Sequence, residues 1–206
     1  MTVVVDQPIA KVEDGVRKKR WTRDEVAFLE STALFEGQHW ELVDGELINR
    51  MGKNWRHTST LLALAIAMRR VFGEVGVVSK PGINVHPQDN PTSEPEPDLI
   101  ITKVSAYLMR HSPVPQDICL LVEVSDTTLR HDRTVKARLY ARAGIADYWV
   151  MDVIGRRLFV HRTPVGDTYQ NVVEYTEDES VSTLAAPDRP ILISDLFGPA
   201  LPPDAE

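Results

Sequence analysis

The run Ile118-Cys119-Leu120-Leu121-Val122-Glu123-Val124 is apolar on both faces of a strand, so it reads as a central strand in a sheet covered on both sides. One carboxylate, Glu123, interrupts it. A second acid, Asp98, opens the strand-like run Pro97-Asp98-Leu99-Ile100-Ile101, and Lys136 sits on the inward side of the helix that follows. Leaving an ion unpaired in such surroundings costs on the order of several kcal/mol, so buried ions hold a metal or one another. Whatever fold forms must bring these charges together inside it.

The chain has 206 residues, 43% of them hydrophobic, which suits one domain with a substantial core. No stretch approaches eighteen consecutive apolar residues, which argues against a membrane span. Met1 to Lys11 lacks a basic segment followed by a long apolar one, so it does not read as a signal peptide; a cytoplasmic location is the default expectation. The single cysteine, Cys119, builds neither a disulfide framework nor a zinc site and reads as a small buried hydrophobe. A net charge of −7 argues against a strong sequence-independent grip on nucleic acid. It leaves room for a local basic patch, since Arg130, Arg133, Lys136, Arg138 and Arg142 cluster around one helix. For the four arginines the alternative is a solvated helix face.

Along the chain, residues 1–20 are polar and unpatterned and read as a flexible arm, ahead of a single domain over 21–198 and a tail over 199–206. Thr22 and Glu25 form a capping box that opens a first helix, with Val26, Phe28 and Leu29 on its apolar side. Trp40–Val43 and Glu46–Asn49 flank Asp44-Gly45, a type I′ hairpin turn. A long helix is expected from Arg56 to Phe72, with Leu61, Leu62, Ala65 and Met68 at helical spacing and Gly73 near its end. Val75–Ser79 and Gly82–His86 read as a strand pair, and 87–97 as a loop. After the strands at 98–102 and 118–124, a helix runs from Asp132 to Ala143 and stops at Gly144. Strands follow at 147–153, 156–161, 168–175 and 180–184, then a closing apolar strap from Ile191 to Phe197.

On the 132–143 helix, steps of about 100° per residue place Val135, Leu139 and Ala143 on one stripe, with Asp132 inside it and Lys136 at its edge. A lysine on the core side of an amphipathic helix is uncommon. The plain alternative is a surface Asp132–Lys136 pair at i, i+4. Hydrolysing a phosphodiester takes a metal that polarises the phosphate and activates water, plus a cation near the developing charge. Mg²⁺ prefers oxygen ligands and keeps several waters, so two or three carboxylates suffice. Asp98 and Glu123 on neighbouring strands suit that ion, with the Val124 carbonyl as a third oxygen and Lys136 serving the water or the phosphate. Glu41 either adds a third carboxylate or is a half-exposed strand residue. His57 faces inward and either contacts substrate, supports the site from behind or is a core histidine. Ser125 and Asp126 either cap the next segment or bond to the site, and His131 is assigned to a loop without a role.

The segments Trp40-Glu41-Leu42-Val43-Asp44-Gly45-Glu46-Leu47, His57, Pro97-Asp98, Glu123-Val124-Ser125, Asp132 with Lys136 four residues on, and Tyr148-Trp149-Val150-Met151-Asp152 together resemble the Uma2 family. That family, also called DUF820, belongs to the PD-(D/E)XK restriction-endonuclease-like superfamily. The resemblance runs in order from Trp21 to Phe197. It implies an α/β (α+β) fold: a restriction endonuclease-like mixed β-sheet flanked by helices, with additional β-hairpins. It also implies a Mg²⁺-dependent (Mn²⁺ being the substitute) endonuclease acting on nucleic acid, DNA first. The catalytic and metal-binding acids would be Asp98, Glu123 and Glu41, with Lys136 as the catalytic cation and His57, Ser125 and Asp132 around substrate or behind the site. The usual lysine two residues after the second acid is absent, because Ser125 stands there; Lys136 would be its migrated substitute. A dimer would supply the two sites that cutting both strands requires. The competing readings are a non-catalytic interaction module that retains the nuclease fold, and a hydrolase of another phosphate ester.

Overall fold

The structure, a computed structural model, describes residues 12–13, 16–32, 35–36, 38, 40–49, 54–73 and 76–199. Residues 1–11 and 14–15 of the expected arm, Val75 of the expected strand and 200–206 of the expected tail lie outside the described residues. Two short strands, β1 (Val12–Glu13) and β2 (Val16–Arg17), pair with each other. Helix α1 (Arg23–Glu30) starts at Thr22 with the expected capping box. The hairpin of β3 (Trp40–Val43) and β4 (Glu46–Asn49) turns at Asp44 and Gly45, whose φ angles of 48° and 80° are those a type I′ turn demands. Helix α2 (Trp55–Phe72) follows, ending at Gly73 with φ 75°.

A six-stranded sheet forms the centre. It contains β5 (Val77–Ser79), β6 (Leu99–Thr102), β7 (Ile118–Ser125), β8 (Asp147–Asp152), β9 (Arg157–Val165) and β10 (Thr168–Tyr175), in the spatial order β10-β9-β8-β7-β6-β5. Only β7 and β8 run parallel. Their crossover is a helical stretch, α3 (Leu129–His131), a π-helical turn (Asp132–Lys136) and α4 (Ala137–Arg142). The chain closes with β11 (Ser180–Val181), β12 (Ile191–Leu192) and α5 (Ile193–Phe197).

Strand β7 holds an inner position, as its two-sided apolar pattern requires. Leu120, Val122 and Val124 pack with Leu64, Met68 and Leu196 from α2 and α5. Leu121 faces the other way and packs with Ile100, Tyr140, Tyr148 and Phe159 under α4. Since strand side chains alternate, Glu123 falls on the α4 side with Leu121. Its surroundings are thereby fixed: a helix above and an antiparallel neighbour beside.

Several expectations are corrected. Val77–Ser79 pairs with β6, whereas Gly82–His86 forms no strand. Lys80 adopts φ 51° and Pro81 follows it, so the chain turns away there. Ile83 and Val85 are nevertheless buried, and the N–H groups of Ile83, Asn84 and Val85 go to the Pro95 carbonyl, the Pro113 carbonyl and Asn90 Oδ1. Phe28 and Leu62 point to solvent. On α1 Val26 is buried as expected, and the Arg23 guanidinium adds an inward contact, donating to the Ser93 and Ile83 carbonyls and Asn84 Oδ1. The crossover helix begins at Leu129 rather than Asp132, and Cys119 is half-buried against the core. Among the described residues, no helix is long and apolar enough to cross a membrane.

His161 on β9 is 4% exposed, with its ring 5.2 Å from Tyr148 and 5.6 Å from Tyr169. Burial pushes its imidazole down to about 4, and the nearby Arg133 guanidinium acts in the same direction. The fold therefore holds His161 neutral, while the unfolded chain protonates it near pH 6.5. Its stabilising contribution is present above that pH and is lost as pH falls toward 4, to a total of about 3 kcal/mol. Denaturant titrations from pH 7 to 4 should show this loss, and His161→Phe should flatten it. Superimposable acid profiles for the two proteins would contradict the assignment.

Candidate active site

The antiparallel register of β6 on β7 pairs Leu99 with Val122, so the next position places Asp98 opposite Glu123. Residues directly opposed across such a pair share a face. Both acids are buried, at 2% and 1% exposure. Asp98 Oδ2 accepts the Val124 N–H at 2.9 Å and lies 3.2 Å from His57 Nε2. His57 is held in turn by the start of α2, where Asn54 Oδ1 caps the helix by accepting the His57 N–H at 2.9 Å. Val124, expected to offer a carbonyl, thus uses its N–H to fix the carboxylate beside it.

Glu41 arrives from β3. The Glu94 N–H donates to the Leu42 carbonyl at 2.7 Å, docking the hairpin beside the segment that leads to Asp98. Glu41 Oε1 accepts the Glu96 N–H at 2.8 Å. The carboxylate is buried, which resolves the alternative of a half-exposed strand residue.

Lys136 enters from above. Its Nζ lies 2.8 Å from Glu41 Oε1, 2.9 Å from Glu123 Oε1 and 4.0 Å from Asp132 Oδ1, and the side chain is 3% exposed. Tyr140, one turn later, donates its hydroxyl to Glu123 Oε1 at 2.9 Å. The π-helical turn over Asp132–Lys136 departs from 3.6-residue spacing, and both its ends face inward. Asp132 does more than pair with Lys136: its Oδ2 accepts the Ser125 and Thr128 hydroxyls at 2.7 and 2.6 Å. The Tyr148 hydroxyl donates to the Asp132 carbonyl at 2.9 Å. Asp132 and Ser125 therefore clamp the end of β7 to the helix that carries the lysine.

These charges feel one another. Burial pushes the Glu123 carboxyl up to about 8; Lys136 pulls against this, while Asp132, Asp98 and Glu41 push with it. Burial and the Glu123 charge hold the Tyr140 hydroxyl well above its usual range, so it stays a donor. A cleft of ≈ 360 Å³ opens over the group, lined by Glu41, His57, Asp98, Glu123, Asp132 and Lys136. Asn54, Asp126, Thr128 and His131 line it as well. The Asn54 side-chain amide donates to Asp126, joining the start of α2 to the loop after β7. Among the described residues, no three His, Cys, Asp or Glu side chains are gathered closely enough to hold a metal as they stand.

Asn54, Thr128, His131, Tyr140 and Tyr148 were not assigned a role from sequence. Asn54 is an asparagine just ahead of a helical pattern, a signal for a cap. Tyr140 lies four residues after Lys136, on the same helix face. His131 carried no signal of its own, whereas Asp126, read as a cap or a bond to the site, lines the cleft and accepts from Asn54. The helix arginines divide: Arg142 joins Asp44 and Asp89 at 2.7 and 3.0 Å, and Arg133 lies 3.6 Å above the Phe159 ring. Arg130 and Arg138 are exposed.

A match to the Uma2 family, described as "Putative restriction endonuclease", spans residues 26–190 and takes in every residue of this constellation. The chain belongs to the Uma2 family. The fold is also similar to a crystal structure of a "putative nuclease belonging to DUF820" from Anabaena variabilis. At 15% identity the two share a TM-score of 0.64, over 86% of this chain and 97% of the other. No functionally curated protein matches the sequence.

Removing the ammonium would leave Glu41 and Glu123 facing each other in a buried site. Lys136→Met should therefore lower the unfolding free energy by about 3–5 kcal/mol near pH 8. Adding Glu123→Gln should recover part of that loss, and a double-mutant cycle by chemical denaturation measures the coupling. Strictly additive effects would show that the pair does not interact.

Proposed function

We propose that this Uma2 member is a Mg²⁺-dependent nuclease that hydrolyses nucleic-acid phosphodiester bonds, DNA foremost, with Mn²⁺ able to replace Mg²⁺. One observation carries the reading. Asp98 and Glu123 oppose each other across β6 and β7 in a single cleft, with Lys136 Nζ 2.9 Å from Glu123. Family membership agrees with it.

The donor chemistry suits the ion, whose binding would draw the acids closer than they stand here. Asp98, Glu123, Glu41 and the Val124 carbonyl offer only oxygen, and Mg²⁺ needs few protein ligands because it retains waters. Burial chiefly raises the Glu123 carboxyl, and Asp132, Asp98 and Glu41 add to it, so a further cation would favour its charged form. Bound Mg²⁺ would polarise the phosphate and lower the pKa of the attacking water. The protein's own part is positioning. The Val124 N–H and His57 fix the Asp98 carboxylate, and Tyr140 fixes Glu123. Lys136, held by Glu41 and Glu123, directs the water or offsets negative charge as it develops on the phosphate. Asp132 and Ser125 hold the helix that carries Lys136. Cutting both strands of a duplex takes two such sites, which a homodimer supplies.

Calorimetric titration with Mg²⁺ or Mn²⁺ tests the reading directly. The wild type should release or absorb heat on binding, and Asp98→Asn and Glu123→Gln should abolish the signal. Mg²⁺-dependent cleavage of a DNA and RNA panel should disappear in Glu123→Gln and fall roughly 100-fold or more in Lys136→Ala. A wild type with no metal heat and no cleavage would instead identify an interaction module with a nuclease fold.

A further inference from the structure

We propose that the first turn of α2 is a strand-binding element in which Trp55 stacks on an unpaired base. The substrate class would then be nucleic acid with single-stranded character beside the cleft. The inference rests on the nuclease reading for its ligand and adds a residue and a substrate form to it.

Asn54, Trp55, Arg56 and His57 are consecutive. The outer two line the cleft: Asn54 caps the helix and His57 meets Asp98. A helix turns about 100° per residue, so the two residues between them project from the same turn along other directions. Trp55 is 75% exposed and Arg56 is exposed as well. Arg56 pairs with no acid among the described residues. An indole and a guanidinium therefore stand next to each other on the turn whose flanking residues line the acid-rich cleft, outside that lining, with Trp55 about 200° around the axis from His57. That pairing suits one strand of nucleic acid: an aromatic ring offers a stacking surface to any base, and a cation offsets the backbone phosphate.

Single exposed apolar side chains are ordinary on protein surfaces, so position is what distinguishes Trp55. Tyr107 is more exposed, at 89%, but follows the end of β6 opposite Asp98. Leu62 and Ile66 lie on the same helical stripe as Trp55 and are 59% and 42% exposed. They begin seven residues, roughly 10 Å, farther along the axis. Thr58 and Ser59 interpose polar groups, their hydroxyls donating to the Asn54 and Arg56 carbonyls. A protein partner covering the whole stripe is thus less well matched than a strand leaving the cleft. In an intact duplex every base is already stacked, so the indole gains a ring only where a strand is unpaired, frayed or flipped.

The test uses the full chain, a fluorescein-labelled single-stranded 12-mer and the same sequence as a blunt duplex, with binding read by anisotropy in Ca²⁺. The wild type should bind the single strand more tightly than the duplex. Trp55→Ala should weaken single-strand binding roughly tenfold, while Trp55→Phe keeps most of it. Arg56→Gln should weaken both probes and reduce the salt dependence of binding. The thermal midpoint and Mg²⁺ heat of Trp55→Ala should match wild type, which separates this contact from folding and from the metal site. If metal heat and cleavage are absent in wild type but Trp55-dependent strand binding persists, the nuclease reading fails and this inference stands. Wild-type affinity in Trp55→Ala, or no strand binding by the wild type, overturns it. So does a Trp55→Ala change confined to oligomeric mass in light scattering, which would assign the indole to a protein contact.

Discussion

A buried ammonium held between Glu41 and Glu123 is the contact on which the arrangement of this site depends. The three residues come from different parts of the fold: a hairpin, the central strand of the sheet and the crossover helix. Each ion would be costly to bury alone, and together they tie those layers to one another. Several other features serve that contact. The Glu94–Leu42 bridge brings the hairpin in, the π-helical turn presents Lys136 inward, and Asp132 fastens that turn to Ser125 and Thr128. Oriented charge of this kind is what a site stabilising a phosphate in transit requires.

The acid pair is built on more rigid ground than the lysine. Asp98 and Glu123 sit on adjacent strands whose ladder fixes their separation, and backbone N–H groups hold Asp98 and Glu41. Lys136 reaches the site on a helix and meets the carboxylates of Glu41 and Glu123 through its side chain. Two residues after Glu123, on the same face of β7, the resemblance to the wider PD-(D/E)XK superfamily would place a lysine; this chain has Ser125. The serine instead donates to Asp132, one turn before Lys136. The position that would carry the cation now helps orient the helix that does. Replacing Ser125 would therefore disturb Lys136 without touching it, and replacing Asp132 would in addition remove a carboxylate 4.0 Å from its Nζ.

Much of this could be read from residues. Glu123 inside an apolar heptapeptide, Asp98 at the head of the neighbouring strand and Lys136 on the inward side of its helix identified the three charges before any coordinates. The Asp44-Gly45 turn and the Thr22–Glu25 box gave the right hairpin and helix start because both act through local backbone chemistry. The Gly82–His86 strand did not form, since Lys80 and Pro81 turn the chain and Ile83 and Val85 bury themselves in a loop. Alternation reported burial correctly there and pairing incorrectly. Phe28 and Leu62 show the reverse error: helical spacing marks them as apolar, but α1 buries Val26 rather than Phe28, and Leu62 lies on the outward stripe of α2 with Trp55 and Ile66.

Sequence by itself determined which charges had to be buried, which strand had to be central and where the chain had to turn. These follow from side-chain solvation and backbone sterics, which act over a few residues. Tertiary structure decided the register that sets Asp98 against Glu123, the docking that buries Glu41 and the π-helical turn with both ends inward. It also gave Asn54, Asp126, Tyr140 and His131 places in or beside the cleft. Those outcomes depend on contacts between segments tens of residues apart, and no local pattern encodes the distance between two such segments.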